Sequence, residues 1–273
     1  GNKMSINKQI IMKTRPIGMP KLENFEIIEN EIPEIRNGEV LIKILWLSLD
    51  PYMRGRMSTA KSYAASLHEG DVIVGGAVGR VIKSETKEYK EGDIVEGFTL
   101  GWQEYAIATP ATIRKIDPNL APIQTAVGVL GMPGMTAFFG LLHVGKPIPG
   151  DTVVVSAASG AVGQLVGQIA KIAGCYVVGI AGGKEKCSFL LNTLNFDAAI
   201  DYKNENVDDM LDKYCPKGVN VYFDNVGGNI TDSVINKLAN YARVAVCGVI
   251  SQYNLTCLLY TSDAADEGLG VDL

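Results

Sequence analysis

From Thr152 to Ile250 the chain alternates strand-like and helix-like segments without a break, and this constrains its fold more than any other feature. Thr152-Val-Val-Val-Ser156 is a short β-branched run with no polar alternation, the pattern of a parallel strand buried on both faces. Apolar periodicity then predicts a helix over 162–173, a strand over 176–181, a helix over 185–194 and a strand over 198–202. A helix over 207–214, a strand over 219–225, a helix over 230–238 and a strand over 243–250 complete the series. Such alternation means βαβ units, and therefore an α/β architecture with a doubly wound parallel sheet carrying helices on both faces.

The preceding half has a different texture. Residues 39–48 alternate and then run apolar, while 71–82 and 92–97 are β-branched runs broken by glycine. Glycine within strands marks bulges or the tight corners of a small barrel. Shorter strands are expected over 101–108 and 112–116. A β-barrel-like domain over 1–121 and a parallel-sheet domain over 122–255 follow. Where they join, 123–130 and 135–143 carry apolar residues at helical spacing, with Pro133-Gly134 interrupting them.

Composition removes several classes of function. Lys plus Arg number 25 against 30 for Asp plus Glu, a net charge of −5, so the clustered basic excess of a nucleic-acid binder is missing. No apolar run is long enough to span a bilayer, and residues 1–13 lack the apolar core of a signal peptide. The five cysteines (175, 187, 215, 247 and 257) form no CxxC pair, which fits a reducing, cytoplasmic setting. Only two histidines occur, His68 and His143, and without a Cys/His cluster no zinc site is expected.

One turn carries specific chemistry. Ala158-Ser-Gly-Ala-Val-Gly163 directly follows the first buried strand and opens a helix, the context of a dinucleotide fingerprint with Ala158 in place of the first glycine. Gly160 would let the backbone approach a pyrophosphate, and Gly163 would let helix and strand pack closely. The N–H groups at the start of that helix would hold the phosphates. NAD sites place an acid about twenty residues further on, to bond the ribose 2′-hydroxyl. Here Gly182-Gly-Lys-Glu-Lys186 has no acid at the expected place and two lysines, Lys184 and Lys186, which suits the 2′-phosphate of NADP(H). The alternative, that these lysines only solvate the start of the next helix beside Glu185, stays open. With zinc excluded and histidine scarce, a proton donor would come from the eleven tyrosines. Tyr253 follows the last strand, at the carboxyl edge where ligands bind, and Tyr52 sits in Asp50-Pro-Tyr-Met-Arg54. Read alone, each would more often be a packed amphipathic ring than an acid.

At these residues the chain resembles the zinc-independent medium-chain dehydrogenase/reductases. Within them it is similar to prostaglandin reductases, plant alkenal double-bond reductases and bacterial NADPH-dependent curcumin reductases. The resembling stretches are Leu47-Ser-Leu-Asp-Pro-Tyr-Met-Arg-Gly-Arg-Met57, Val129-Leu-Gly-Met-Pro-Gly-Met-Thr-Ala137, Ala157–Gly163, Val177–Lys186, Tyr222-Phe-Asp-Asn-Val-Gly-Gly228 and Cys247-Gly-Val-Ile-Ser-Gln-Tyr-Asn254. They occur in family order across nearly all of residues 8–255. The resemblance implies a GroES-like barrel joined to a Rossmann-type sheet. It further implies NADPH held by Gly160, Ala161, Val162 and Gly163 at the pyrophosphate and by Lys186 and Tyr202 at the 2′-phosphate. Asn225 would line the cofactor cleft, and Cys247, Gly248, Ile250 and Ser251 would wrap the nicotinamide side. Tyr253 matches the tyrosine that assists protonation or orients the carbonyl, and Tyr52 and Arg54 would border the substrate cleft. The implied reaction is 1,4-reduction of an α,β-unsaturated ketone or aldehyde. An NADPH quinone reductase of the same superfamily and a non-catalytic NADPH-binding module are the alternatives. Plant-type relatives carry a tyrosine near Ala77 that this chain lacks, so their aromatic substrates are not inherited.

Residues 256–273 match nothing in that family and resemble a translated adaptor or vector junction. A non-native tail, a missing sixth sheet strand, an unstable or weakly active chain and a parent that dimerises are expected accordingly.

Overall fold

The computed structural model describes residues 6–60 and 64–255. The expected tail, with Cys257, lies outside the described residues. The first half opens with an antiparallel hairpin, β1 (Ile6–Met12) and β2 (Phe25–Glu31), that the sequence reading did not anticipate. Its strands are half exposed, so neither shows a clean alternation. A five-stranded antiparallel sheet follows: β3 (Val40–Leu47), β4 (Ala77–Ser84), β5 (Ile94–Gly97), β6 (Tyr105–Ala108) and β7 (Arg114–Lys115), in the order β6-β3-β4-β5-β7. The run over 71–82 is therefore only partly strand, and Val72 makes an isolated bridge to Ile11. Val40, Ile42, Ala77, Val81, Val95 and Ala106 fill the inside of this sheet. The short helix α1 (Tyr52–Arg56) leaves β3 and buries Met53 against Met12, Met57 and Ile73.

Between the halves, Ile123–Val127 is a 3-10 turn rather than an α-helical start. Helix α2 (Met132–Phe139) then carries Pro133 in its first turn, so this proline opens a helix instead of interrupting one. A π-helical segment, Gly140–Gly145, continues it.

The second half is the expected parallel sheet. Its strands are β8 (Thr152–Val155), β9 (Tyr176–Ala181), β10 (Ala198–Asp201), β11 (Val219–Asp224) and β12 (Leu238–Val246), in the order β10-β9-β8-β11-β12. Helices α3 (Gly163–Ile172), α4 (Lys184–Asn192), α5 (Val207–Tyr214) and α6 (Gly228–Ile235) connect them. Successive residues of one strand serve opposite faces. Val153, Val155, Val177, Val221 and Phe223 pack with Val166 and Ala170 of α3. Val154, Val178, Ile180 and Tyr222 pack with Leu211 of α5 and Val234 of α6. Both faces are dry, which is why these strands read as unbroken apolar runs.

The last strand departs from expectation. It begins at Leu238 rather than Arg243 and forms an edge of the sheet among the described residues. Its register against β11 slips between the Val219–Leu238 and Val221–Arg243 pairs, and Tyr241 within the slip has φ +61°. Arg243 then fixes the strand by donating to Gly145 O at 2.8 Å and Asp151 Oδ2 at 2.9 Å.

Candidate active site

The carboxyl ends of β8, β11 and β12 converge on one corner. At the end of β8 the chain turns through Ala157, whose φ of +45° puts the left-handed residue one position before Ala158, the residue expected to replace the first glycine. A side chain at Gly163 would run into the Ala157 carbonyl, so α3 can start this close to the strand only with glycine there. Gly160 and Ala161 lie exposed at the tip of the turn, beside Val162.

Ser156 and Asp224 tie this turn to its neighbour. Ser156 Oγ accepts the Asn225 N–H at 2.9 Å, and Asn225 Nδ2 donates to Ser156 O at 2.9 Å. Asp224, only 3% exposed, gathers five donors, the longest being Ser156 Oγ on Oδ1 at 3.4 Å. Its Oδ1 accepts the N–H groups of Val226 and Gly227, each at 2.9 Å, and the Tyr222 hydroxyl at 3.1 Å. Its Oδ2 accepts the Thr231 hydroxyl at 2.8 Å. Burial and the adjacent Asp224 carboxylate push the Tyr222 phenol well above its ordinary pKa, so it remains a donor. Sequence reasoning named Asn225 and missed Asp224 and Ser156. The available signal was a carboxylate ending an otherwise apolar strand.

The loop after β12 stacks on this corner. Cys247 and Gly248 donate their N–H groups to Asp224 O at 2.8 and 3.1 Å, and Ser251 Oγ donates to Val226 O at 2.6 Å. Ile250 N–H reaches Asn225 O at 3.4 Å. Cys247 keeps exposed surface, yet its sulfur is crowded by protein; burial and then the Asp224 charge push the thiol up to about 11, leaving it neutral at pH 7. Tyr253 folds back so that its hydroxyl accepts the Val249 N–H at 3.3 Å beside Gly248. Among the described residues that hydroxyl meets no acceptor for its own proton.

The first half reaches the same loop through Arg54. Its Nε donates to Asn254 Oδ1 at 3.1 Å and its Nη2 to Gly18 O at 3.0 Å, and partial burial pushes its pKa down. The guanidinium is thus engaged in joining α1 to the residue after Tyr253. Tyr52 lines a neighbouring cavity of about 440 Å³ with Ser48, Phe98, Leu130, Met132 and Met135.

A second corner lies at the ends of β9 and β10. Lys184 and Lys186 are exposed in the first turn of α4, and Tyr202 is half exposed across from them. Asp201 is the nearest buried acid, 5% exposed. Its Oδ1 accepts the N–H groups of Gly183 at 2.8 Å and Lys203 at 3.1 Å, and its Oδ2 accepts Asn204 Nδ2 at 2.8 Å. The Asn204 amide and then the Gly183 N–H hold its carboxyl below the usual carboxylate value. An acid is present, but it faces the turns and is occupied by them. The structure does not bring Lys186 and Tyr202 to the Tyr253 corner; the pairs mark two ends of one edge. Among the described residues, no group of three or more His, Cys, Asp or Glu could hold a metal ion. No described helix is long and apolar enough to cross a membrane.

Comparison with known proteins agrees with this geometry. The model of the N-terminal domain of oxidoreductases matches residues 8–116, and that of zinc-binding dehydrogenases matches residues 161–263. The NADPH-dependent curcumin reductase of Escherichia coli is 44% identical over 94% of this chain and 74% of its own length. The NADP(+)-dependent 2-alkenal reductase of Nicotiana tabacum is 48% identical over 91% of this chain and 74% of its own length. The crystal structure of CurA from Vibrio vulnificus in complex with NADPH superposes with a TM-score of 0.88 at 47% identity, over 93% of this chain and 75% of that one. By fold, by sequence and by the order of its motifs, the chain belongs to the medium-chain dehydrogenase/reductase superfamily, in the branch of the curcumin and alkenal reductases.

Proposed function

We propose that the chain reduces the C=C bond of α,β-unsaturated ketones or aldehydes with NADPH, without a metal. The observation that carries this reading is Tyr253, a tyrosine at the carboxyl edge of the sheet whose hydroxyl oxygen is held by an amide while its proton is free among the described residues. The residues fit the cofactor. Beyond Gly160, whose N–H is bonded to Ala157 O, the turn presents the N–H groups of Ala161, Val162 and Gly163 to a pyrophosphate. Asp201 is engaged elsewhere and unavailable to a ribose hydroxyl, and Lys186 and Tyr202 stand exposed where a 2′-phosphate would lie. Bound there, the reduced nicotinamide supplies a hydride to the β-carbon of the substrate.

The chain's own residues then have four tasks. Asn225 and the stacked loop Cys247–Ser251 shape the floor of the cleft. Tyr253 donates a hydrogen bond to the carbonyl oxygen and supports the enolate charge as it forms. It then passes its proton to the enolate, where the proton ends on the α-carbon, while water reprotonates the phenolate. Tyr52 and the apolar wall beside it exclude water from the substrate. Arg54 ties that wall to the Tyr253 loop. The names of the curcumin and 2-alkenal reductases support this substrate class. The reading carries with it a cytoplasmic setting, in keeping with four free cysteines among the described residues, and a homodimer, which sedimentation would reveal.

NADPH oxidation followed by absorbance, with a short enal, an enone and a simple quinone in separate arms, tests the proposal. Turnover of the enal and enone is expected, with Tyr253→Phe lowering kcat by roughly tenfold or more as the proton donor is lost. Turnover of the quinone alone overturns the substrate class. NADPH binding with an indifferent Tyr253→Phe variant overturns the role of the tyrosine.

A further inference from the structure

We infer that Lys203 is a further cation of the 2′-phosphate subsite, positioned by Asp201, and that it sets the preference for a phosphorylated cofactor; this rests on the NADPH reading above. The residues concerned come from two turns. Gly182 follows β9, and Gly183, with φ +103°, opens α4 with Lys184 and Lys186 in its first turn. Tyr202 and Lys203 leave the end of the adjacent strand β10. A Cβ placed on Gly182 would lie 2.9 Å from the Tyr202 hydroxyl oxygen and 2.9 Å from Lys203 Cε. The phenol and the far end of the lysine therefore flank the same stretch of bare backbone, and a side chain at 182 would push them aside.

One carboxylate oxygen sets the spacing of the two turns. Asp201 Oδ1 accepts from Gly183 N–H on one side and Lys203 N–H on the other. The cations carried by each turn are thus held in register by a buried acid that does not itself neutralise them. Among the described residues, Lys184, Lys186 and Lys203 have no ion pair. Of the other nearby acids, Glu205 accepts the Asp201 N–H at 2.8 Å, and Glu185 is exposed on α4. A dianionic phosphate beside Gly182 would meet the Tyr202 hydroxyl and ammonium groups from both turns, the arrangement that makes charge-assisted hydrogen bonds. A cofactor lacking that phosphate would bring no charge for these lysines to meet, and the buried Asp201 is already occupied by the two turns.

Calorimetric or fluorescence titration of the whole chain with NADPH, NADH, 2′,5′-ADP and 5′-AMP tests this without turnover. For Lys203→Ala, affinity for NADPH and 2′,5′-ADP is expected to fall about tenfold, while NADH and 5′-AMP stay within about twofold of the parent. Lys203→Arg is expected to recover most of the loss. Equal weakening of phosphorylated and unphosphorylated probes, or no weakening in Lys203→Ala while Lys186→Ala loses 2′,5′-ADP, overturns the inference alone. A parent chain that binds 2′,5′-ADP no better than 5′-AMP overturns both the inference and the choice of cofactor.

Discussion

Asp224 and Asp201 end strands of the same sheet, and each is almost wholly buried, yet they do different work. Asp224 takes its short bonds from its own strand, from the loop immediately after it and from α6, with one long contact, at 3.4 Å, from Ser156 Oγ at the end of the neighbouring strand. It is a local knot, and the Cys247–Tyr253 loop stacks on the backbone it fixes. Asp201 takes a donor from across the sheet, at Gly183, as well as from the residues that follow it. It is a strut between two turns whose exposed side chains are cations. Rigidity is concentrated at the first corner and charge at the second. Hydride transfer needs reacting atoms held in place, whereas choosing between cofactors needs a field at one phosphate. The two buried acids divide these requirements between them.

Removing the knot is the most damaging change this comparison predicts. Asp224→Ala removes the acceptor of two backbone N–H groups in a buried site, each costing about 1–3 kcal/mol, and leaves the Tyr222 and Thr231 hydroxyls only each other. A net loss of about 3 kcal/mol or more is expected, which for a chain of this size lowers Tm by roughly 6 °C or more. Thermal unfolding followed by circular dichroism measures it. A variant melting with the parent would show these donors finding water or other partners, and the knot would lose its meaning. Thr231→Val trims the same knot by one bond, from Thr231 Oγ1 to Asp224 Oδ2, and leaves the Tyr222 hydroxyl one neighbour fewer. Its expected cost is about 1 kcal/mol, seen as a small shift of the denaturant midpoint with an unchanged slope.

The contrast also explains what the sequence made legible. Strand and helix positions from β8 to β11 followed from periodicity, because strands buried on both faces carry unbroken apolar runs such as Thr152-Val-Val-Val155. The close packing at Gly163 followed from motif spacing, whereas Asn225 entered only through the family resemblance. The hairpin of β1 and β2 did not follow from periodicity, since its residues are half exposed and lack a period. The left-handed turn at Ala157, one residue before Ala158, was not legible, because a fingerprint states which residues occur and not which one turns. The two buried acids escaped for a different reason. A carboxylate at a strand end reads as the start of a polar loop, and only tertiary structure reveals donors such as Gly183, eighteen residues away in sequence, closing over it. Likewise Arg54 was read as a border of the substrate cleft, and its partners, Asn254 and Gly18, lie far from it in the chain.

The smallest expected effect is confined to acid. The folded-state pKa of Asp201 lies below its ordinary value of 3.8, so its ionised form is favoured by folding. The stability this contributes is present in full above the ordinary carboxylate pKa and is lost as pH falls through the lowered folded value. Asp201→Asn keeps the size of the side chain and cannot titrate. The difference in Tm between parent and variant should therefore be constant from pH 7 down to pH 5 and shrink as the pH drops below about 4. If the Asp201→Asn difference stays flat into the acid limb, the Gly183 and Asn204 bonds do not favour the ionised form. Asp201 would then be a spacer of fixed geometry, and the division between knot and strut would rest on position alone.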